Sequence, residues 1–233
     1  MPEGSDGLSA MKLTVSKEDY LKAIAEAEAE EGAAIAATIA RWLDVSPPAV
    51  ALALRRLRRD NLARVDRKGR ILLTAQGRKI SDELRFRHHV IERFLYEILG
   101  MEWYKVHEEA ERLEHSVSKD LEQKLIEKLG RDGACPHGNQ INKSAAERRK
   151  LGLRPLWEAD PGSVARIESM YERDRHLLEY LDRLGLRPGV QVKVTSRNYD
   201  GTLSLRLGNK PTSLGEAAGR KVWVSTPLID PVL

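Results

Sequence analysis

A serine followed by two prolines, Ser46-Pro47-Pro48, leaves the backbone few choices. Proline lacks an amide hydrogen and has a fixed φ, so two in succession suit the first turn of a helix and little else that is regular. Serine ahead of them is a favoured N-cap. The residues that follow support a helix to about Asp60, with Val50, Leu54 and Leu57 recurring on its inner face. A short helix over Ala34–Leu43 precedes it. Two short extended runs follow, Leu62–Val65 and Arg70–Leu73, joined by the charged turn Asp66-Arg67-Lys68-Gly69. Helix, tight turn, second helix with a basic C-terminal half, then a two-stranded wing with a basic tip is the order of a winged helix-turn-helix. Such domains also serve as protein-interaction modules.

Net charge over the 233 residues is +4, but it is unevenly placed. Residues 41–70 hold nine Lys/Arg against three Asp/Glu, a local +6 that leaves the rest at −2. Such density is the footprint expected for a polyanion, with a solvated helix face as the alternative. The helix from Ser46 would enter a major groove N-terminus first. Its leading residues, Pro47, Pro48, Ala49, Ala51 and Leu52, can touch thymine methyls but cannot form bidentate hydrogen bonds to guanine or adenine. Phosphate contacts and DNA shape are therefore expected to carry much of the recognition. Arg55, Arg56, Arg58, Arg59, Arg67, Lys68 and Arg70 are the phosphate candidates, though Arg55 and Arg58 could instead be ion-pair partners.

Around this segment, residues 1–15 read as disordered, and a helix opens at Ser16 with Glu18 and Asp19 in its first turn and Tyr20, Leu21, Ile24 and Ala27 at helical spacing. A helical stretch runs from Thr74 to about Gly130, broken near Gly100. Two adjacent apolar helices beside a small domain predict a homodimer surface, with simple core packing as the alternative. Residues 131–162 read as a linker. The tail alternates as a small β-domain: Val164–Ile167, a helix over Tyr171–Leu184, then Val190–Thr195, Leu203–Leu207 and Val222–Ser225. The expected divisions are 1–15, 16–75, 76–150 and 151–233. No apolar run is long enough for a transmembrane helix, the N-terminus has no signal-like segment, and the single Cys135 excludes an internal disulfide. A cytoplasmic protein without a membrane partner is expected.

Five of the six histidines lie between residues 88 and 137, interleaved with carboxylates. Glu111, Glu114 and His115, at i, i+3 and i+4, would share one face of a helix. Two carboxylates and an imidazole suit Mn2+ or Fe2+ better than thiophilic ions, and Asp19 is available as a further ligand. His88 and Glu92, one turn apart, form a second set with His107, and Cys135-Pro136-His137 a third. The alternative is a solvated acidic face with structural histidines. A metal-dependent hydrolase is disfavoured: His107-Glu108 with Glu111 misses the HExxH pattern, and Glu111, Glu114 and His115 miss HxxEH.

With these residues in view, the chain resembles the diphtheria toxin repressor family, on its manganese transport regulator branch. The resemblance is carried by SKEDYLKAI (16–24), SPPAV (46–50), LTAQGRKI (73–80), FRHHVIERFL (86–95), KVHEEAERLEHSVS (105–118) and CPHGNQI (135–141). It implies a mainly α fold with small β elements: an N-terminal winged helix-turn-helix, a helical dimerisation domain and, from LGLRPG at 184–189, a C-terminal SH3-like (FeoA-like) β-barrel. It implies a primary metal site of Asp19, Glu111, Glu114 and His115. Glu111 stands where iron-responsive members have cysteine and Asp19 where they have methionine, which argues for manganese. Lys22 stands where binuclear members have glutamate, against a close metal pair. A second site would draw on Glu92, Cys135 and His137, with His88 and His107 as alternatives and Glu172 or Asp174 from the tail. The expected protein is therefore not an enzyme but a homodimeric repressor that binds a double-stranded DNA operator. It would be activated by Mn2+, or alternatively Fe2+, at two sites per subunit and need no organic cofactor. The rival reading is a metal-independent regulator that answers to an organic ligand.

Overall fold

The structure, a computed structural model, describes residues 14–140 and 143–226. It divides between Leu84 and Arg85 into two compact units. In the first, α1 (Val15–Glu31) is capped by Thr14, whose hydroxyl accepts from the Lys17 amide at 3.4 Å, two residues before the expected cap Ser16. Of the segment expected to be disordered, 1–15, only Thr14 and Val15 fall within the described residues, and they open this helix. Next come β1 (Ala34–Ile35), α2 (Ala36–Trp42), α3 (Pro47–Arg59), β2 (Ala63–Val65) and β3 (Arg70–Leu73). The second helix is shorter than Ala34–Leu43 because Ala34 and Ile35 pair antiparallel with Ile71 and Arg70, adding a strand to the wing in the order β1-β3-β2. Leu21, Ile24, Ile39, Val50, Leu57, Leu62 and Ile71 form the buried core. The next helix, α4 (Ala75–Arg93), starts against the wing. Gly77 permits this: a Cβ there would sit 2.0 Å from the Leu62 carbonyl oxygen.

The second unit holds the end of α4, a π-helical turn over Phe94–Ile98, α5 (Val106–Leu113) and α6 (Lys119–Leu129). The helical stretch to Gly130 thus has a second break after Leu113, where Ser118 caps α6 by accepting from the Leu121 amide at 3.2 Å. Arg93 ties the far end of α6 down, donating to the carbonyls of Leu129 (2.7 Å) and Gly130 (3.1 Å).

The expected linker is structured. It contains α7 (Ala145–Lys150), with a reciprocal Ser144–Glu147 cap, and β4 (Arg154–Pro155). Then follow β5 (Val164–Met170), α8 (Arg175–Leu184), β6 (Gln191–Arg197), β7 (Thr202–Leu207), β8 (Lys210–Gly215), α9 (Glu216–Gly219) and β9 (Val222–Ser225). The antiparallel six-stranded sheet has the order β4-β9-β5-β6-β7-β8. Its core of Leu156, Ile167, Met170, Leu178, Leu181, Val194, Leu203 and Val224 also takes in Trp103, from the segment between α4 and α5. Trp103 Nε1 donates to Asp182 at 2.5 Å. The helical segment and the β-domain, expected as 76–150 and 151–233, therefore pack as one unit.

Candidate nucleic-acid face and metal centre

In the first unit, Ser46 accepts from the Ala49 amide at 3.4 Å, so its hydroxyl oxygen serves the cap, and Pro47 and Pro48 fill the first turn of α3. Leu52, Arg55, Arg56, Arg58 and Arg59 are exposed on α3, opposite the buried Val50, Leu54 and Leu57. Arg67, Lys68 and Arg70 are exposed on the wing. Two of the cations are paired: Arg59 with Asp60 at 3.2 Å and Arg70 with Asp66 at 2.6 Å. Asp66 also accepts from the amides of Lys68 and Arg70, and these bonds shape the wing turn. Asp19 is half-buried on α1 and lines a pocket of about 330 Å³ with Ser16, Tyr20, Ala49, Leu52 and Arg56.

In the second unit, Glu92 sits near the end of α4 with no exposed surface, ringed by imidazoles. Its Oε1 lies 3.2 Å from His88 Nε2, 3.1 Å from His107 Nδ1 and 3.5 Å from His137 Nδ1. His88 also reaches Glu114 Oε2 through Nδ1 at 2.6 Å. One donor atom each from His88, Glu92 and His107 lie within 4.8 Å of one another. A four-residue group, His89, Glu92, Cys135 and Glu172, meets the same measure.

The loop after α6 delivers Cys135 and His137. A tight turn, with the Gly138 amide donating to the Cys135 carbonyl at 2.8 Å, presses it onto β5. Only glycine fits at 138: φ is +80° and a Cβ would lie 1.9 Å from the Glu168 carbonyl oxygen. Glu172, just after β5, accepts from Asn139 Nδ2 at 2.6 Å and from the Cys135 thiol at 3.2 Å. His137 Nε2 donates to the Trp103 carbonyl at 2.9 Å, which leaves Nδ1 facing Glu92 and Glu172.

Among the residues singled out from the sequence, His88, Glu92, His107, Cys135, His137 and Glu172 are thus brought together. Asp174 is not: it caps α8, accepting from the Leu177 amide at 3.0 Å, and pairs with Lys221 at 3.1 Å. His89 was missed.

Glu111, Glu114 and His115 do not share one regular helical face, because α5 ends at Leu113. Glu114 is buried, with Oε1 3.6 Å from His115 Nε2. Glu111 instead lies 3.6 Å from His107 Nε2 and accepts from Arg173 at 3.3 Å.

The electrostatics describe a site built for positive charge. Burial pushes the Glu92 and Glu172 carboxyls up, yet the surrounding histidines hold both well below the usual range. Burial would lower His107 and His137, but Glu111 and Glu92 lift the first to about 10 and Glu92 and Glu172 lift the second to about 9. Burial pushes His89 down to about 4 and, with the nearby carboxylates, raises the Cys135 thiol well above its ordinary value. Three buried polar atoms here have no hydrogen-bond partner: His89 Nδ1, Glu92 Oε2 and His107 Nε2. Buried polar atoms are rarely left unpaired, so orphaned nitrogen and oxygen atoms in a carboxylate–imidazole cluster fit a divalent cation.

Three family models match the chain: the iron dependent repressor N-terminal DNA binding domain over residues 12–70, the iron dependent repressor metal binding and dimerisation domain over 74–143, and the FeoA domain over 154–226. The iron-dependent repressor IdeR of Mycobacterium tuberculosis is 33% identical over 229 residues, covering 91% of this chain and 98% of its own. The diphtheria toxin repressor of Corynebacterium jeikeium is 32% identical over 213 residues, covering 90% and 85%. A solved manganese-dependent transcriptional repressor in complex with manganese superposes with a TM-score of 0.79 at 27% identity, covering 90% of this chain and 99% of that one. The matches run through every part of the fold described above, and the chain belongs to the iron-dependent repressor family that includes the diphtheria toxin repressor.

Proposed function

We propose that this chain is a homodimeric, DNA-binding transcriptional repressor switched on by a divalent metal ion, with Mn2+ as the activating ion in a cytoplasmic setting. The single observation that carries the metal dependence is Glu92. It is a fully buried carboxylate with three imidazoles around one oxygen and no hydrogen-bond partner on the other. Burial of such a group is costly unless a cation offsets it. A bound divalent ion would supply that charge and draw donors from several elements into one coordination sphere.

His88, Glu92, His107, Cys135, His137 and Glu172 are the residues proposed to hold one site. Asp19, Glu111, Glu114 and His115 are proposed for the other, on the family resemblance. Oxygen ligands at Asp19 and Glu111, where iron-responsive members carry sulfur, support manganese over iron. Exposed Arg55, Arg56 and Arg58 on α3 and Arg67 and Lys68 on the wing are proposed to bind phosphates, with Ala49 and Leu52 against base methyls. The relatives are named as repressors, and the hydrolase reading of His107 and Glu111 is set aside.

The test is a gel-shift titration on duplexes selected from a random pool in the presence of Mn2+, using wild type and Glu114→Ala with Mn2+, Fe2+ or a chelator. Metal-dependent binding by the wild type and its loss in Glu114→Ala are expected. Binding that ignores both metal and chelator would leave the organic-ligand regulator as the better account.

A further inference from the structure

We infer that His89, Glu92, Cys135 and Glu172 form a thiolate-containing metal position of their own, adjoining the His88–Glu92–His107 set and sharing Glu92 with it. This rests on the reading of the second unit as metal-binding and divides one proposed site into two. Each set brings one donor atom per residue within 4.8 Å of one another. Glu92 serves both. Its Oε1 is engaged by His88 and His107, while Oε2 has no hydrogen-bond partner and is available to the other set.

His89 is the residue that makes the second set complete. It is 6% exposed, and its Nδ1 is buried without a partner. A histidine retained for packing alone would bond that nitrogen, since a buried unpaired nitrogen costs roughly 1–3 kcal/mol. Cys135 and Glu172 are already in register: the thiol donates to Glu172 at 3.2 Å, and Asn139 holds the same carboxylate oxygen at 2.6 Å. On coordination the Cys135 sulfur would release its proton to solvent as the metal–sulfur bond forms, with no change of oxidation state. One imidazole, one thiolate and two carboxylates make a softer set than His88, Glu92 and His107. The position should therefore prefer Zn2+, Fe2+ or Co2+ to Mn2+.

Co2+ is the probe, because a thiolate bound to it gives a near-ultraviolet charge-transfer band that oxygen and nitrogen ligands do not. The full chain, reduced and metal-free, is titrated with Co2+ alone. The wild type should develop the band and Cys135→Ser should lose it. His89→Ala and the bulkier, polar His89→Gln should each weaken the affinity read on the band at least about tenfold. His107→Ala should keep the band and lose Co2+ equivalents that do not contribute to it. Circular dichroism of each metal-free variant monitors folding, and His89→Gln keeps the test decisive if the alanine variant unfolds. Wild-type affinity on the band in the folded His89 variants, or loss of the band in a folded His107→Ala, would overturn the inference. The readout involves no DNA. A protein that shows the band as expected but binds duplex equally with and without metal would refute the repressor reading and leave this one standing.

Discussion

Glu92 and His88 show how much one turn of helix can carry. They lie four residues apart on α4, the spacing that stacks side chains on one face, and both are buried. His88 uses both ring nitrogens, one toward Glu92 Oε1 at 3.2 Å and one toward Glu114 Oε2 at 2.6 Å. It therefore touches a member of each proposed ligand set. Replacing it with alanine should weaken Mn2+ binding by about 10–100-fold, the usual effect of removing a residue that orients ligands. Calorimetric titration of His88→Ala should show both binding steps weakened, and an unchanged first step would separate His88 from Glu114. The i, i+4 pair could be read from the sequence, but His89 could not. Neighbouring residues on a helix point about 100° apart, so spacing gives no reason for both to face one site. Both do because α4 is flanked on more than one side, by α5 and by the Cys135 loop. Asp174 errs in the opposite sense. An acidic residue just before an apolar helical run is a cap first, and Asp174 caps α8.

Among the elements, the wing and α3 were legible because their signals are local. Ser46 with two prolines marks a helix start, and Asp66 to Gly69 marks a hairpin turn. The strands that escaped, β1, β4 and β8, lack such signals. The first two are two residues long, and in β8 only Leu214 is buried on an exposed edge. The segment 131–162 looked like a linker for its glycines and prolines, yet Cys135, His137 and Asn139 are buried by the press of the loop onto β5. Tertiary contact, invisible to periodicity, decided these. In the wing, Asp66 is the organising residue. The Arg70 amide is the chief cause that lowers its carboxyl; slight burial opposes, and the Arg70 side chain and Lys68 amide assist. A depressed carboxylate stabilises above its unfolded value and ceases to do so as pH falls through the folded one. The wing turn should therefore loosen below about pH 4, the ordinary aspartate range. Asp66→Ala should loosen it at neutral pH. Amide exchange at Lys68 and Arg70 measures both effects. Protection in Asp66→Ala equal to the wild type would show that the turn is held by something else.

At the scale of the whole molecule, the second unit has satisfied its own core and still leaves apolar surface uncovered. Ile91, Leu95, Val106 and Ala110 close the helical core, and Trp103 is sunk into the β-domain. Yet the π-helical turn and the residue after it display Tyr96, Ile98 and Leu99 at 40%, 47% and 59% exposure. Single exposed leucines need no explanation, but three large apolar side chains within four residues of one rigid turn form a patch of the kind that a partner covers. The family model over this region is a metal binding and dimerisation domain, and a second copy of the chain is the partner that closes such a patch by two-fold symmetry. A charge at its centre should then oppose association without disturbing the fold, because Leu99 is already mostly in water. Leu99→Asp is expected to sediment as a monomer at micromolar concentration, to melt close to the wild type and to bind the same metals. It should also lose most of its affinity for duplex DNA, since a dimer that engages two half-sites gains far more than one reading head can alone. A Leu99→Asp protein that stays dimeric and binds DNA as the wild type does would move the interface elsewhere on the unit.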